Sequence, residues 1–144
     1  MPLLKIWIHL AWATKNRTDI LTKDIRKKIF EHIKENGSKN GIHVHFVNGY
    51  SDHGHCLVSL NANQTIAKVV QLLKGESSFW TNKNNLCKGK LVWQEEYFAV
   101  SVSESGVNRV REYIKNQEDH HSKKTFQQEY DEFIKNYEFE VVRG

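Results

Sequence analysis

The sequence predicts an α+β domain, an antiparallel sheet in the ferredoxin-like order βαββαβ with additional C-terminal helices. Three observations lead to it. Apolar residues alternate at period two in four stretches, amphipathic stripes at helical spacing fall after the first and third of them, and two more helical stripes close the chain. With 144 residues, 39% of them hydrophobic and 26% charged, the chain reads as a single domain over 1–144 that can bury a core without disulfides or a structural metal.

Leu4, Ile6, Ile8, Leu10 and Trp12 occupy every second position, so residues 3–13 form the first predicted strand. Thr22 is a candidate N-cap for a helix over 22–36, in which Ile25, Ile29, Phe30 and Ile33 make one apolar face and Gly37 supplies the stop. Between Gly41 and Gly49, Ile42, Val44 and Phe46 alternate with His43, His45 and Val47. A second alternation from His53 to Leu60 follows a turn at Tyr50-Ser51-Asp52, and the two strands pair antiparallel. Ile66, Val69, Val70 and Leu73 stand at i, i+3, i+4 and i+7 and predict a second helix ending near Gly75 or Trp80. Residues 81–90 are polar and basic enough for a surface loop. Leu91-Val92-Trp93 and Tyr97 to Val102 give the fourth strand, interrupted around Glu95-Glu96. A third helix starts at Ser105-Gly106, covers about 105–121 and carries Val107, Val110 and Ile114. The last, about 125–138, is marked by Phe126, Tyr130, Phe133 and Tyr137.

Lys and Arg number 21 against 17 acidic residues, a formal net charge of +4 with a pI near 9.0, which admits a polyanionic partner. There is no signal-peptide pattern and no apolar run long enough to span a bilayer, so the expected location is the cytoplasm, with no membrane partner. Cys56 and Cys87 lack metal-ligand or CxxC spacing and read as buried thiols of a reducing compartment. Neither a P-loop nor the aromatic signature of RNA-recognition motifs is present.

Side chains two apart on a strand share a face, so His53 and His55 of Asp52-His53-Gly54-His55 could hold one cation between them. His43-Val44-His45 has the same spacing. The two pairs differ only in their surroundings: Asp52 stands beside the first, and Leu57, Val58 and Leu60 put it at the mouth of a buried strand. Tyr113 and Gln117 are four apart on a helix, beside Val110 and Ile114. Such a tyrosine either packs its ring on the sheet or acts as a nucleophile towards phosphorus, with the neighbouring amide oxygen completing a metal site.

His9, the run Trp12-Ala13-Thr14-Lys15-Asn16-Arg17, Asp52-His53-Gly54-His55, Trp93-Gln94-Glu95-Glu96-Tyr97, Ser101-Val102-Ser103 and Tyr113-Ile114-Lys115-Asn116-Gln117 with His120-His121 together resemble the single-tyrosine HUH transposases of small bacterial insertion sequences. The resemblance covers nearly the whole chain. It implies a DNA transposase that cleaves and rejoins single-stranded DNA at hairpins near the ends of an insertion sequence, through a 5′-phosphotyrosine on Tyr113. It further implies a divalent metal, Mg²⁺ or Mn²⁺, on His53, His55 and Gln117, which leaves His43 and His45 as strand-surface residues and His9, His120 and His121 unassigned. The expected partners are single-stranded DNA with hairpins and a second copy of the chain, in a homodimer whose tyrosine helices act in trans. Candidate DNA contacts are Lys83, Lys88 and Lys90 in one loop and Arg109, Arg111 and Lys115 on the tyrosine helix, with Trp80 and Trp93 as stacking platforms. One departure is visible: the residue between the two histidines is hydrophobic in the family and Gly54 here, a candidate bulge. Two alternatives share the strand order, a domesticated hairpin-processing endonuclease and a nucleic-acid-binding module without catalysis.

Overall fold

In the computed structural model, residues 3–121 and 124–137 are described, the last five by backbone alone. The elements are β1 (Trp7–Ala13), α1 (Lys23–Lys39), β2 (His43–Tyr50), β3 (His53–Ser59), α2 (Ile66–Lys83), β4 (Phe98–Val102), α3 (Val107–Lys115), α4 (Gln117–His121) and α5 (Phe126–Tyr137). The strands form one antiparallel sheet in the order β2-β3-β1-β4, the ferredoxin-like arrangement that the sequence predicts.

Both faces of that sheet are covered, and period two sorts the side chains between them. Ile8, Leu10 and Trp12 of β1 join Cys56 and Val58 of β3 in a core with Ile29, Phe30 and Ile33 of α1 and Val69, Val70 and Leu73 of α2. The alternate residues face the other way. Trp7 and Leu57 meet Val107 and Ile114 of α3, while Ala11, Ala13 and Phe98 meet Phe126 of α5. Every residue of β1 is therefore buried, and His9, His53 and His55 fall on the α3–α5 side.

Several boundaries differ from the sequence expectation. The first strand begins at Trp7 and not at residue 3, because its sheet partners end at Ser59 and Val102 and Leu3, Leu4 and Ile6 are left exposed. Gly37 does not stop α1. A Cβ there would lie 2.8 Å from Val44 Cγ2, so this glycine lets the helix press against β2, and the chain turns instead at Gly41, whose φ is +77°. Similarly α2 runs on through Gly75 and Trp80, and Lys83 is its last residue, not part of the loop. Leu91–Trp93 is not part of a strand apart from one bridge, Thr14 to Trp93. Backbone bonds tie this segment to the end of β1 at Val92 and Gln94 (Lys15 N–H to the Val92 carbonyl and Gln94 N–H to the Ala13 carbonyl, 2.8 Å each), while side chains take the groups beside them: Asn82 clamps both the N–H and the carbonyl of Leu91, and the Lys74 ammonium donates to the carbonyls of Gln94 and Glu95. The bulge lies at His45, between Val44 and Phe46, and not at Gly54. Gly54 pairs in register with Trp12 and Gly49, and a Cβ on it would lie 3.2 Å from the Phe30 ring. The helix expected over 105–121 is broken at Asn116 into α3 and α4. Of the C-terminal aromatic stripe, the side chains of Phe133 and Tyr137 lie outside the described residues. Cys56 and Cys87 are free and buried as expected, and among the described residues no helix is long and apolar enough to cross a membrane.

Candidate active site

The histidine pair stands at the start of β3. Backbone bonds from Thr14 to the Asp52 carbonyl (2.8 Å) and from Leu21 to the Ser51 carbonyl (2.9 Å) hold this end of the hairpin against β1. Across the ladder His53 faces Ala13 and His55 faces Ala11, and these small neighbours leave the space above the sheet to the imidazoles. His9, on the same face, brings its Nε2 within 2.9 Å of His55 Nδ1. Burial and the neighbouring His55 push the pKa of His9 down to about 3, so it is a neutral partner.

Tyr113 reaches the pair because Val107 and Ile114 seat α3 on Trp7 and Leu57. Its ring stands edge-on to those of His55 and His9, with centroids 5.7 and 6.0 Å away. The helix ends two residues later. Asn48 Nδ2 donates to the carbonyls of Ile114 and Lys115 (3.1 Å each), satisfying helix-end acceptors that a continuing helix would have used. Gln117 nevertheless remains beside Tyr113, with its Nε2 donating to the Tyr113 carbonyl at 3.3 Å, and it is fully buried. From α5 comes Glu129, 1% exposed, whose Oε1 lies 3.0 Å from His55 Nε2 and whose Oε2 accepts the Tyr113 hydroxyl hydrogen. The helix is held in place by Phe126 against the His53 ring (4.4 Å between centroids) and by the Arg17 guanidinium over Phe126 and Tyr130. The Tyr130 hydroxyl also donates to Glu96.

The hydrogen bonds fix how these side chains are turned. His53 Nδ1 is 2.7 Å from the Asp52 carboxylate, which only accepts, so Nδ1 carries a hydrogen towards it and Nε2 is turned to Gln117. The amide nitrogen of Gln117 is committed to the Tyr113 carbonyl, so its oxygen faces His53 Nε2 at 3.0 Å. His121 repeats the pattern. Its Nδ1 donates to the Lys124 carbonyl at 2.7 Å, and its Nε2 lies 3.4 Å from Glu129 Oε2. Imidazole nitrogens, an amide oxygen and a carboxylate converging in a buried space are the donor types of a divalent-cation site. Ligand atoms of His53, His55, His121 and Glu129 all lie within 4.8 Å of one another, close enough to share one divalent ion.

The electrostatics agree. Burial holds the His55 pKa down despite Glu129, which keeps the imidazole neutral and available as a ligand. For Glu129, burial works against ionisation, but His55, His121 and His53 outweigh it and hold the carboxyl well below the usual range. Burial, and then the charge of Glu129, push the Tyr113 phenol well above the usual tyrosine value.

The rival pair lies elsewhere. His43 is exposed and bonded to the Ser59 hydroxyl, and His45, at the bulge, meets Arg111 at 2.8 Å. Lys88 and Lys90 are exposed in the loop after α2, while Lys83 ends that helix with its ammonium over the Phe79 ring. Arg109 is exposed on α3, and Arg111 is half-buried. Of the six candidate DNA contacts, Lys115 alone lines the groove of about 500 Å³ between α1 and the α3–α4 junction, where it meets Lys23, Arg26, Lys27 and Lys34. Trp93 cannot stack a base, because it is buried, edge-on to Trp12 and bonded through Nε1 to Ser77. Trp80 already has the His32 ring on one face, 3.9 Å away. The α1 lysines, Glu129 and the role of His121 were missed from the sequence. Glu129 had a signal: it is three residues after Phe126 and next to Tyr130, a carboxylate on the inward stripe of its helix.

Residues 3–117 match the sequence family described as IS200-like transposases. The ISDra2 transposase TnpA of Deinococcus radiodurans is 29% identical over 117 residues, which span 77% of this chain and 83% of that protein. Among solved structures, a candidate transposase from Deinococcus radiodurans superposes with a TM-score of 0.63 at 23% identity, over 81% of this chain and 95% of that one. A REP-associated tyrosine transposase bound to a REP hairpin superposes with a TM-score of 0.61 at 12% identity, over 84% and 74%. At these identities the two structural likenesses speak to the fold.

Proposed function

The chain belongs to the IS200-like transposase family, and from that premise we propose that it cleaves and rejoins single-stranded DNA through a 5′-phosphotyrosine on Tyr113, at hairpins near the ends of an insertion sequence. One observation carries the reading. The Tyr113 hydroxyl belongs to the same buried network as His53, His55 and Gln117, although helix and hairpin lie about sixty residues apart in sequence. The hairpin-bound REP-associated transposase of similar fold supports the choice of substrate.

In the cleavage step the Tyr113 oxygen bonds to phosphorus and the bond from phosphorus to the 3′ oxygen breaks. The phenol loses its proton and the 3′ oxygen gains one, so charge balances, and the covalent bond keeps the phosphodiester energy for rejoining. His53, His55 and Gln117 would hold Mg²⁺ or Mn²⁺, which when bound supplies positive charge to the scissile phosphate. Asp52 and His9 fix the orientation of the two imidazoles. Gln117 ties its amide to the backbone of Tyr113, so nucleophile and cation site move together. The groove beside α1, in which Lys23, Lys27, Lys34 and Lys115 outnumber Glu31 and Asp119 while Arg26 is paired with Glu118, suits a phosphate backbone approaching this site, and Lys83, Lys88, Lys90, Arg109 and Arg111 would act on DNA further out. As for assembly, a homodimer exchanging tyrosine helices would need α3 and α4 to leave their own sheet. The described chain closes its site within itself.

The test is incubation of the chain with labelled single-stranded hairpin DNA and Mn²⁺ or Mg²⁺. A covalent protein–DNA adduct is expected with the native chain, and Tyr113→Phe should lower its yield at least about a thousandfold while hairpin binding persists. An adduct formed equally well by the Phe variant would move the nucleophile elsewhere.

A further inference from the structure

The reading above draws its cation ligands from residues within the family match over 3–117, yet the buried network does not end there. The carboxylate of Glu129 is buried, and its ionic partners among the described residues are all imidazoles: His55 at 3.0 Å, His120 at 3.2 Å, His121 at 3.4 Å and His53 at 3.8 Å. Ligand atoms of Glu129 and of His53, His55 and His121 all lie within 4.8 Å of one another, so the donors of one shared cation are already gathered around this carboxylate. The donor set of two imidazoles and one amide is itself uncharged, and it offers a single oxygen to ions that prefer oxygen. A carboxylate oxygen beside those donors corrects both faults at once.

Resting on the proposed cation site, we propose that Glu129 of α5 is a ligand of the same ion, with His121 of α4 beside it, so that the segment after the family match completes the metal centre. The two carboxylate oxygens are used differently. Oε1 faces the strand histidines and Oε2 accepts the Tyr113 hydroxyl, so one side chain joins the ion to the nucleophile. The Nδ1 of His121 donates to the Lys124 carbonyl, which leaves Nε2, on a side chain 2% exposed, aimed into the site 3.4 Å from Glu129 Oε2. Phe126, Tyr130 and Arg17 position α5 so that Glu129 points inward, which gives the aromatic residues of this helix a function beyond packing.

The experiment is Mn²⁺ titration of the full-length chain without DNA, followed by calorimetry and by the electron paramagnetic resonance of free Mn²⁺. Glu129→Gln, nearly isosteric, should weaken Mn²⁺ binding at least about tenfold, Glu129→Asp should recover part of it, and His121→Ala should weaken it as well. His43→Ala, at an exposed histidine away from this cluster, should leave the affinity unchanged, which separates ligation from the general loss of an imidazole. Circular dichroism and thermal melting identify any variant that fails to fold, and the remaining variants then decide. If Glu129→Gln and His121→Ala bind Mn²⁺ as the native chain does while His53→Ala does not, the cation site stands and the role of Glu129 falls. Tighter binding by Glu129→Gln would also overturn it, since the carboxylate would then be an occupant competing with the ion. No binding by the native chain would sink the cation site and this extension together.

Discussion

His53 and His55 are fully buried, and each has one ring nitrogen fixed by a neighbour while the other turns towards Gln117 or Glu129. His43 and His45 have the same spacing on the neighbouring strand, but their partners are the Ser59 hydroxyl, Arg111 and the Trp7 ring. The consequence for activity is direct. His53→Ala or His55→Ala should cut metal-dependent adduct formation at least about a hundredfold, because each would remove one of the imidazoles proposed to hold the ion. His43→Ala and His45→Ala should leave the adduct within about threefold of the native yield, as expected of surface sites. The four variants can be compared in a single gel assay, and the reverse ranking would transfer the site to β2. Spacing alone could not rank the pairs. Both pairs lie on the face that α3 covers, and what separates them is their place along it: His43 and His45 meet Trp7 and Arg111, whereas His121 and Phe126 pack on His53 and Glu129 on His55.

At the scale of the element, glycines show which segments are in close contact. Gly49 of β2 faces Gly54 of β3, and a Cβ on Gly49 would come within 2.2 Å of the His53 carbonyl and 2.8 Å of the Gly54 Cα, both backbone atoms that cannot swing aside. Gly49→Ala should therefore cost more than about 2 kcal/mol and disturb the strand end that carries His53. Gly75 is the opposite case. It lies inside α2 with nothing within 4 Å of its virtual Cβ, so Gly75→Ala should stabilise the protein by about 0.5–1 kcal/mol through the unfolded chain's lost freedom. Urea unfolding of the two variants checks both signs. The same contrast explains the helix ends misjudged from sequence: Gly37 and Gly75 resemble stops, yet one serves close packing and the other simply interrupts a stripe that continues to Thr81.

Taken whole, the molecule is three layers deep, with α1 and α2 on one face of the sheet and α3 and α5 on the other. The second face holds the site, and the described chain supplies Tyr113, Gln117, His53, His55 and Glu129 from its own elements. Mixing Tyr113→Phe subunits with His53→Ala/His55→Ala subunits tests whether the working enzyme keeps that arrangement. The cis geometry predicts a mixture as inactive as either parent, since every site then carries one lesion. Return of cleavage, in subunits shown to exchange, would establish the trans arrangement that the family resemblance implied.

The strand order and the two crossover helices were legible in the sequence because each depends on short-range periodicity, two along a strand and 3.6 along a helix, whereas the joining of His53 and His55 to Tyr113 and Gln117 was implied by the family resemblance alone. Such patterns state which residues share a face, and that was enough to put His53 beside His55 and Tyr113 beside Gln117. They do not state what covers the face. Asn48 ending α3, Arg17 clamping α5, Lys74 holding the 94–95 carbonyls and Glu129 entering the histidine cluster are contacts across 16 to 113 positions, between elements with no shared period, and only the folded chain brings them together. The inward carboxylate of α5 is the plainest case. In sequence it is one acidic residue among several on a polar helix, and in the fold it is a buried carboxylate set among four imidazoles and the Tyr113 hydroxyl, partners that no local pattern announces.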